Sequence, residues 1–246
     1  SLLSESSAAM LNVDIERTIE LSLEALALSN ASKYNQGMVR SYYTIGQALF
    51  HNQNYNEALT YLSRADKVKN SSKFPLYMAQ IYKVKGQIYF YLEMERKAIR
   101  EFHRALKIAE DIPRDDYRSY VTSQIYESFI TVYHVAEKSD SAFYYMQKNK
   151  DLLVASQDET FIYPNKINMY GYFGEYYILT NQPDSAMQYL NEGIQLIDKY
   201  NFRYRTRTLK FIGDVELMRG NYREALDHYL DAIENASELG MRSELP

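Results

Sequence analysis

The sequence predicts an all-α fold, an α-solenoid in which antiparallel helix pairs follow one another along the chain. Three observations lead to this prediction. A set of small and bulky residues recurs with fixed internal spacing, the members of the set share one helical face, and residues that favour tight turns are few. Only 9 of the 246 residues are Gly and 5 are Pro, which is few for a β-rich chain whose strands end at turns.

The recurring set begins at a glycine. Each glycine is followed by an alanine twelve residues later, a bulky residue four residues after that, and a small residue after three more. In that order the four copies are Gly46, Ala58, Leu62, Ala65; Gly86, Ala98, Phe102, Ala105; Gly174, Ala186, Leu190, Gly193; and Gly213, Ala225, Tyr229, Ala232. A degenerate copy has Ile130, Ala142, Met146 and Asn149, and the five anchors lie 40, 44, 44 and 39 residues apart.

Spacings of four and seven place three members of each set on one face of a helix. We interpret the glycine as lying on the first helix of a pair, helix A, and the other three residues on the second, helix B. Small residues allow A and B to cross closely, and the bulky residue fills the space beside the crossing. The predicted organisation is one right-handed solenoid over residues 1–246. It has a partial repeat at 1–31, where Ala25 takes the last small position, and repeats at about 34–70, 74–112, 116–157, 160–200 and 203–240.

Polar segments separate the predicted helices. Turns within repeats are expected at 52–54, 138–140, 181–184 and 219–221, where Asn, Ser or Asp is available to cap the next helix. Turns between repeats or helix starts are expected at 70–72, 112–115 and 163–165, the last two containing Pro113 and Pro164.

The repeated residues resemble the tetratricopeptide repeat family, whose pattern is an aromatic, Leu-Gly, Tyr, Ala, an aromatic and Ala. The corresponding residues are Tyr42, Ile45-Gly46, Leu49, Ala58, Leu62 and Ala65 in one unit, and Tyr170, Phe173-Gly174, Tyr177, Ala186, Leu190 and Gly193 in another. The resemblance covers nearly the whole chain. The family's usual period is about 34 residues, so we expect helices here that are longer by about a turn. Ile130 and Asn149 lead us to expect a locally irregular fourth repeat.

This resemblance implies a protein-binding scaffold whose concave surface is lined by the A helices. We define the inner stripe as the residues six and three before each anchor and one and four after it, which share a helical face. It comprises Arg40, Tyr43, Gln47, Phe50; Gln80, Lys83, Gln87, Phe90; Gln124, Glu127, Thr131, His134; Asn168, Gly171, Glu175, Ile178; and Arg207, Lys210, Asp214, Leu217. Its recurring amides can hydrogen-bond an extended peptide, while Tyr43 and Phe90 can pack against peptide side chains. The alternative is a solvated face that binds nothing.

One specialised site of the family is not expected. Family members that grip a chaperone's terminal carboxylates carry Lys three residues before the glycine and Asn one residue after it. Only Lys83 with Gln87 comes close to that arrangement here.

Other functional classes receive little support. The four histidines fall in different helices, Cys is absent, and neither a phosphate-binding glycine loop nor a Gly-x-Ser-x-Gly motif occurs, so we expect no catalytic residue, metal or cofactor. An enzyme on a helical-repeat frame is therefore a disfavoured alternative.

The net charge of −4, from 28 Lys and Arg against 32 Asp and Glu, argues against nucleic acid as a partner. No stretch of about 20 apolar residues predicts membrane insertion. The sequence does not distinguish a cytoplasmic location from a periplasmic one.

Two basic clusters require an interpretation. The first lies on one B helix, where Glu95 and Glu101 predict a solvated outer face with ion pairs four residues apart. The second opens the last A helix, where Glu175 and Asp214 are expected to neutralise the inner-stripe cations. The clusters are Arg96, Lys97, Arg100, Arg104 and Lys107, and Arg203, Arg205, Arg207 and Lys210.

The ends of the chain suggest a domain of a longer polypeptide. The first residue is not Met, and the last B helix, expected at 222–239, has no polar capping helix after it, although residues 241–245 could begin one. Self-association through this uncapped helix is one expectation. The Asp-Ser-Ala turns at 140–142 and 184–186 resemble those of bacterial regulators that join a tetratricopeptide sensor region to an output domain. That resemblance gives an alternative function, the ligand-sensing or docking region of a transcriptional regulator or signalling protein.

Overall fold

The computed structural model describes residues 15–156 and 158–239. Within these residues it contains eleven α-helices, one short 3₁₀ segment at Ser71–Lys73 and no strand, and 83% of the residues are helical. The all-α prediction is therefore confirmed. The helices are α1 (Ile15–Ala31), α2 (Asn35–His51), α3 (Tyr55–Ala65), α4 (Pro75–Tyr91), α5 (Glu95–Ala109), α6 (Asp115–Val135), α7 (Ser139–Ala155), α8 (Glu159–Leu179), α9 (Pro183–Lys199), α10 (Thr206–Met218) and α11 (Tyr222–Glu238). The helix considered at 241–245 and the first part of the partial repeat lie outside the described residues.

The chain divides into two compact units, one extending to residue 148 and the other beginning at residue 149. In the first unit α1 packs on α2, the hairpins α2–α3 and α4–α5 lie side by side, and α6 packs on α4 and α5. In the second unit the hairpins α8–α9 and α10–α11 pack together through α9 with α10 and α8 with α10. The A helices are thus α2, α4, α6, α8 and α10. A single continuous solenoid stays a prediction.

The anchor glycine of each repeat lies directly against the bulky residue sixteen positions later. A Cβ on Gly86 would stand 2.3 Å from the Phe102 ring, and one on Gly46 would stand 2.4 Å from Leu62. Gly174 and Gly213 have the same relation to Leu190 and Tyr229, at 2.5 and 2.6 Å. We expected the small residues to meet each other at the crossing. Instead, the missing Cβ of helix A makes room for the bulky side chain of helix B.

The fourth helix pair keeps its aromatic packing despite lacking the glycine. Phe129 of α6 stacks on Tyr145 of α7, with ring centroids 4.2 Å apart and planes within 4° of parallel. The equivalent pair in the second unit, Phe173 and Tyr189, stacks at 4.6 Å and 13°. Met146, which is 2% exposed, replaces the branched or aromatic partner, and its unbranched chain can adapt to Ile130.

All five turns between an A helix and its B helix use the same backbone cap. One residue in each adopts the left-handed conformation, with φ between 55° and 80°: Gln53, Glu93, Glu137, Asn181 and Gly220. The next residue donates its backbone N–H to the carbonyl five residues earlier, at 2.8–2.9 Å in every case. The predicted side-chain cap is wrong at Asn54 and Asn221, whose side chains make no hydrogen bond to the backbone of the following helix. Their Nδ2 groups donate to Glu57 and Glu216.

The helix start expected near Pro164 is also wrong. Pro164 lies inside α8, which begins at Glu159. The carboxylate of Glu159 accepts hydrogen bonds from Lys199, from the Tyr200 hydroxyl at 2.9 Å and from Lys166 at 3.3 Å. These donors, Lys199 first, lower the pKa of Glu159 to about 2. Proline removes one backbone hydrogen bond within α8, and the Glu159 contacts hold the helical turn that precedes it.

Candidate functional site

Inner-stripe residues of α4 and α6 meet in a buried hydrogen-bond network. Gln80 Nε2 donates to Gln124 Oε1 at 3.1 Å, and Lys83 Nζ donates to the same oxygen at 2.9 Å. Gln80 and Lys83 are each 8% exposed, while Gln124 is half-buried. At this place the A helices therefore share one polar network, which differs from a row of separately solvated side chains.

The charge of Lys83 is poorly stabilised in this network. Burial lowers the pKa of Lys83 to about 8, and the nearby Glu127 carboxylate opposes that change only in part. Burial and the Lys83 charge together lower the pKa of His51, the last residue of α2. A hydrogen-bond acceptor brought to Lys83 would favour its charged form.

Three tyrosines lie around one side of the network. The rings of Tyr43 on α2 and Tyr77 on α4 have centroids 6.4 Å apart. Burial, followed by Tyr120 and Tyr77, raises the pKa of Tyr43 above its ordinary value, and burial with Glu127 raises the pKa of Tyr120 to about 12. Tyr43 and Tyr120 are therefore neutral hydroxyls near pH 7. Sequence analysis missed Tyr77 and Tyr120, although their spacing of three and four residues from Gln80 and Gln124 places each pair on one face.

One atom of the network and one atom of the nearby His51 have no hydrogen-bond partner. Gln80 Oε1 and His51 Nε2 are buried, and neither is bonded within the part of the chain that the structure describes. A buried polar atom left unsatisfied costs about 1–3 kcal/mol, and such atoms are few in native structures. The network is therefore incomplete in the free chain.

The remaining inner-stripe residues of the first unit differ in their surroundings. Gln47, Gln87, Phe90 and Thr131 are half-buried, and His134 is exposed. Phe50 was expected to face a ligand, but it packs between Tyr55 of α3 and Tyr91 of α4 at centroid distances of 6.1 and 5.7 Å. Its position at the end of α2 places it between neighbouring hairpins, and contact of Phe50 with a ligand stays a prediction.

In the second unit the inner-stripe cations are neutralised, as expected. Arg207 pairs with Glu175 at 2.8 Å, and Lys210 approaches Asp214 at 3.6 Å. Asp214 also accepts a hydrogen bond from the Tyr229 hydroxyl at 2.7 Å. Asn168 is exposed and Gly171 is buried. The second unit therefore presents paired charges on its inner stripe, in contrast to the incomplete network of the first.

The ion pairs expected along the basic B helix α5 are wrong. Glu95 pairs with Lys138, at 2.6 Å, and not with a cation of its own helix. Glu101 is 8% exposed and reaches only its neighbour Arg100, at 3.4 Å. Glu101 is adjacent to the buried Phe102 in the sequence, so its side chain does not lie on the solvent-exposed face of α5 that carries the cations.

An apolar face at the end of the second unit is exposed. Leu217, Tyr222, Leu226 and Leu230 are 49%, 73%, 56% and 53% exposed. In the preceding repeat the residues equivalent to Leu217 and Leu226 are Ile178 and Met187, which pack against the core that includes Phe211 and Val215 of α10. The two positions are therefore covered by the next A helix in one repeat and exposed to solvent in the following repeat.

Two classes of site find no support among the described residues. They contain no group of three or more His, Cys, Asp or Glu side chains placed to hold a metal ion. None of their helices combines the length and the apolar character needed to cross a membrane.

Comparison with known proteins agrees with this architecture. Residues 39–72 match the family model of the tetratricopeptide repeat. The fold is similar to BtubC (BKLC) from P. vanneervenii, at 14% identity and TM-score 0.73 over 93% of each chain. Aspartyl phosphate phosphatase F from Bacillus subtilis is 14% identical, with TM-score 0.65 over 89% of this chain and 56% of that one. TPR-like repeats of a kinesin light chain from Podosopora anserina are 12% identical, with TM-score 0.59 over 82% and 96%.

No curated protein sequence matches this chain. The fold is nevertheless that of a tetratricopeptide-like helical repeat protein. Stacked repeats of this kind form extended surfaces that are typical of scaffolds for protein–protein interaction.

Proposed function

We propose that the chain is a non-enzymatic scaffold that binds an extended peptide segment of a protein partner on the inner stripe of α2, α4 and α6. The observation that carries the proposal is the incomplete network of Gln80, Lys83 and Gln124. An extended peptide presents an N–H and a C=O at each non-proline residue, and Gln80 Oε1 lacks an N–H partner among the described residues.

The lysine supports binding of a peptide carbonyl. An ammonium group has three N–H donors, and the structure assigns one of those of Lys83 to Gln124. A peptide carbonyl would accept another and favour the charged form of Lys83.

The amide of Gln80 supports binding of a peptide N–H. Gln80 Nε2 is held by Gln124 Oε1, which leaves Gln80 Oε1 as the acceptor that a peptide N–H could satisfy. Satisfying that oxygen recovers part of the roughly 1–3 kcal/mol that its burial costs.

The aromatic residues support contact with peptide side chains. Alternate side chains of an extended peptide point in opposite directions, so every second one would face the helices. Tyr43, Tyr77 and Phe90 are half-buried and offer aromatic surface on α2 and α4, against which apolar peptide side chains can pack.

The proposal predicts that removing the network's polar groups abolishes binding. The protein would be screened against an immobilised library of capped random peptides, and the affinity of a selected peptide would be measured by isothermal titration calorimetry. Lys83→Met/Gln124→Ala should weaken binding at least about tenfold, the effect of losing one or two hydrogen bonds.

The matched control is Lys107→Met/Gln188→Ala, which changes exposed residues of two B helices and should bind as the wild type does. Gln47→Ala, at a half-buried position of α2, provides a second inner-stripe variant if the double variant does not fold. Full affinity in a folded inner-stripe variant would show that the peptide binds elsewhere.

The exposed apolar face of α10 and α11 favours self-association as a second function. Sedimentation velocity of the wild type should show a sedimentation coefficient that rises with concentration. Leu226→Glu should weaken this association by about tenfold or more, because a buried Leu contributes about 1.5–3 kcal/mol. Leu179→Glu, which changes a 66% exposed residue of α8, serves as the control. A wild type that stays monomeric, or a Leu226→Glu variant that associates equally well, would exclude this function.

A further inference from the structure

A cleft of about 380 Å³ lies between α1 and α2 and is bordered by Tyr77 of α4. Its volume falls within the range of small-ligand sites, about 300–1,000 Å³. Hydroxyl groups are concentrated in its wall, which includes Ser22 and Ser29 of α1 and Ser41 and Thr44 of α2. Gly37 allows α2 to approach α1 closely at one side of the cleft, since a Cβ there would stand 2.4 Å from Ser29 Oγ.

Arg40 is the charged residue of this cleft. It is exposed, and among the described residues it takes part in no ion pair. An arginine beside hydroxyl groups and an aromatic ring is a suitable partner for an anion, because its planar guanidinium can donate two parallel hydrogen bonds to a carboxylate.

In the second unit the arginine at the same repeat position is paired with a carboxylate. Arg207 lies six residues before its anchor glycine, as Arg40 does. It pairs with the Glu175 carboxylate at 2.8 Å and lies over the Tyr172 ring at 4.4 Å. Arg40 lines the same cleft as the Tyr77 ring, and no carboxylate pairs with it among the described residues.

We propose that this cleft binds the carboxylate side chain of an Asp or Glu in the partner peptide, an inference that rests on the proposed peptide-binding function. A carboxylate carries one negative charge and matches the single cation of the cleft, whereas a phosphoryl group carries about −1.5 to −2 and would need further cations. The partner is thus an extended segment with an acidic residue near one end of its contact.

The cleft lies next to the inner stripe. Tyr77 borders the cleft, and its ring centroid is 6.4 Å from that of Tyr43. A peptide that contacts Tyr43 can therefore place a side chain beside Arg40 without leaving the surface of α2 and α4.

The first test uses two capped peptide libraries that differ only in one fixed residue, Glu in one and Gln in the other. The wild type should prefer the Glu library by about tenfold, the contribution of a charge-assisted hydrogen bond. Arg40→Gln should bind both libraries equally, and Arg96→Gln, which removes an exposed arginine of α5, should keep the preference. Equal binding by the wild type, or an unchanged preference in Arg40→Gln, would overturn the carboxylate site and leave the proposed function intact.

The second test does not depend on peptide binding. N-acetylglutamate amide would be titrated into isotope-labelled protein, with N-acetylglutamine amide as the control. The backbone resonance of Gly37 and the side-chain resonance of Arg40 should shift with the acid and not with its amide. Unchanged resonances up to the highest ligand concentration would overturn the site. Glutamate-dependent shifts in a protein that binds neither library would instead contradict the proposed function alone.

Discussion

Gly86→Ala is expected to lower the free energy of unfolding by about 1–3 kcal/mol, the usual effect of overpacking a core. The added Cβ would stand 2.3 and 2.5 Å from two ring carbons of Phe102. That ring is fully buried and packs edge-on against Phe129 at 5.4 Å, so it has no free space into which to move. Urea unfolding followed by circular dichroism measures the change.

Gly171→Ala is the matched control for this substitution. Gly171 is also a helical glycine, but no atom lies within 4 Å of the Cβ it would gain. Alanine favours a helix over glycine by about 1 kcal/mol, so this variant should be as stable as the wild type or more stable. If Gly86→Ala also gained stability, the close crossing of α4 and α5 would be wrong.

Asn149→Ala is expected to raise the free energy of unfolding by about 1–3 kcal/mol, the cost of a buried unsatisfied amide. Asn149 is fully buried, and neither its Nδ2 nor its Oδ1 has a hydrogen-bond partner among the residues described. The other four repeats carry Ala or Gly at this position, so the smaller residue suits the local packing. Thermal and urea unfolding of the two proteins measure the difference.

Asn235→Ala is the control that separates an unsatisfied buried asparagine from a satisfied one. Asn235 Oδ1 accepts from the Arg205 backbone N–H at 3.1 Å and the Thr206 hydroxyl at 2.9 Å, and its Nδ2 donates to the Arg203 carbonyl at 3.0 Å. Its replacement should destabilise the protein by about 2–3 kcal/mol, since each bond contributes about 0.5–1.5 kcal/mol. If Asn149→Ala were destabilising to the same extent, Asn149 would have to be satisfied in solution.

The repeat architecture was predictable because it depends on spacing within the chain. Gly86 and Phe102 are sixteen residues apart in a fixed pattern, which is enough to indicate a helical hairpin. The pattern did not show that this glycine faces Phe102 itself. Nor could it show that the turns are closed by left-handed residues such as Gln53 and Glu93, because backbone hydrogen bonds leave little trace in side-chain composition.

The candidate site was predictable only in part. Helical phase correctly placed Gln80, Lys83 and Gln124 on one side of their helices. Their mutual contacts depend on how α4 packs against α6, which the sequence does not specify. The same phase did not show that Phe50 packs against Tyr55 and Tyr91, because a residue at the end of a helix also meets the neighbouring hairpin. The cleft at Arg40 requires α1, which shares only Ala25 with the recurring set, so the pattern did not predict how α1 packs on α2.

The most direct test of peptide binding on the inner stripe is to follow the side-chain resonances of the glutamines and lysines by NMR while a selected peptide is added. The account predicts shifts of the Gln80 and Gln124 amide groups and a pKa of Lys83 that rises from its value of about 8, with the Gln188 amide unchanged. Shifts confined to B-helix residues such as Gln188, with Gln80, Lys83 and Gln124 unaffected at saturation, would contradict it.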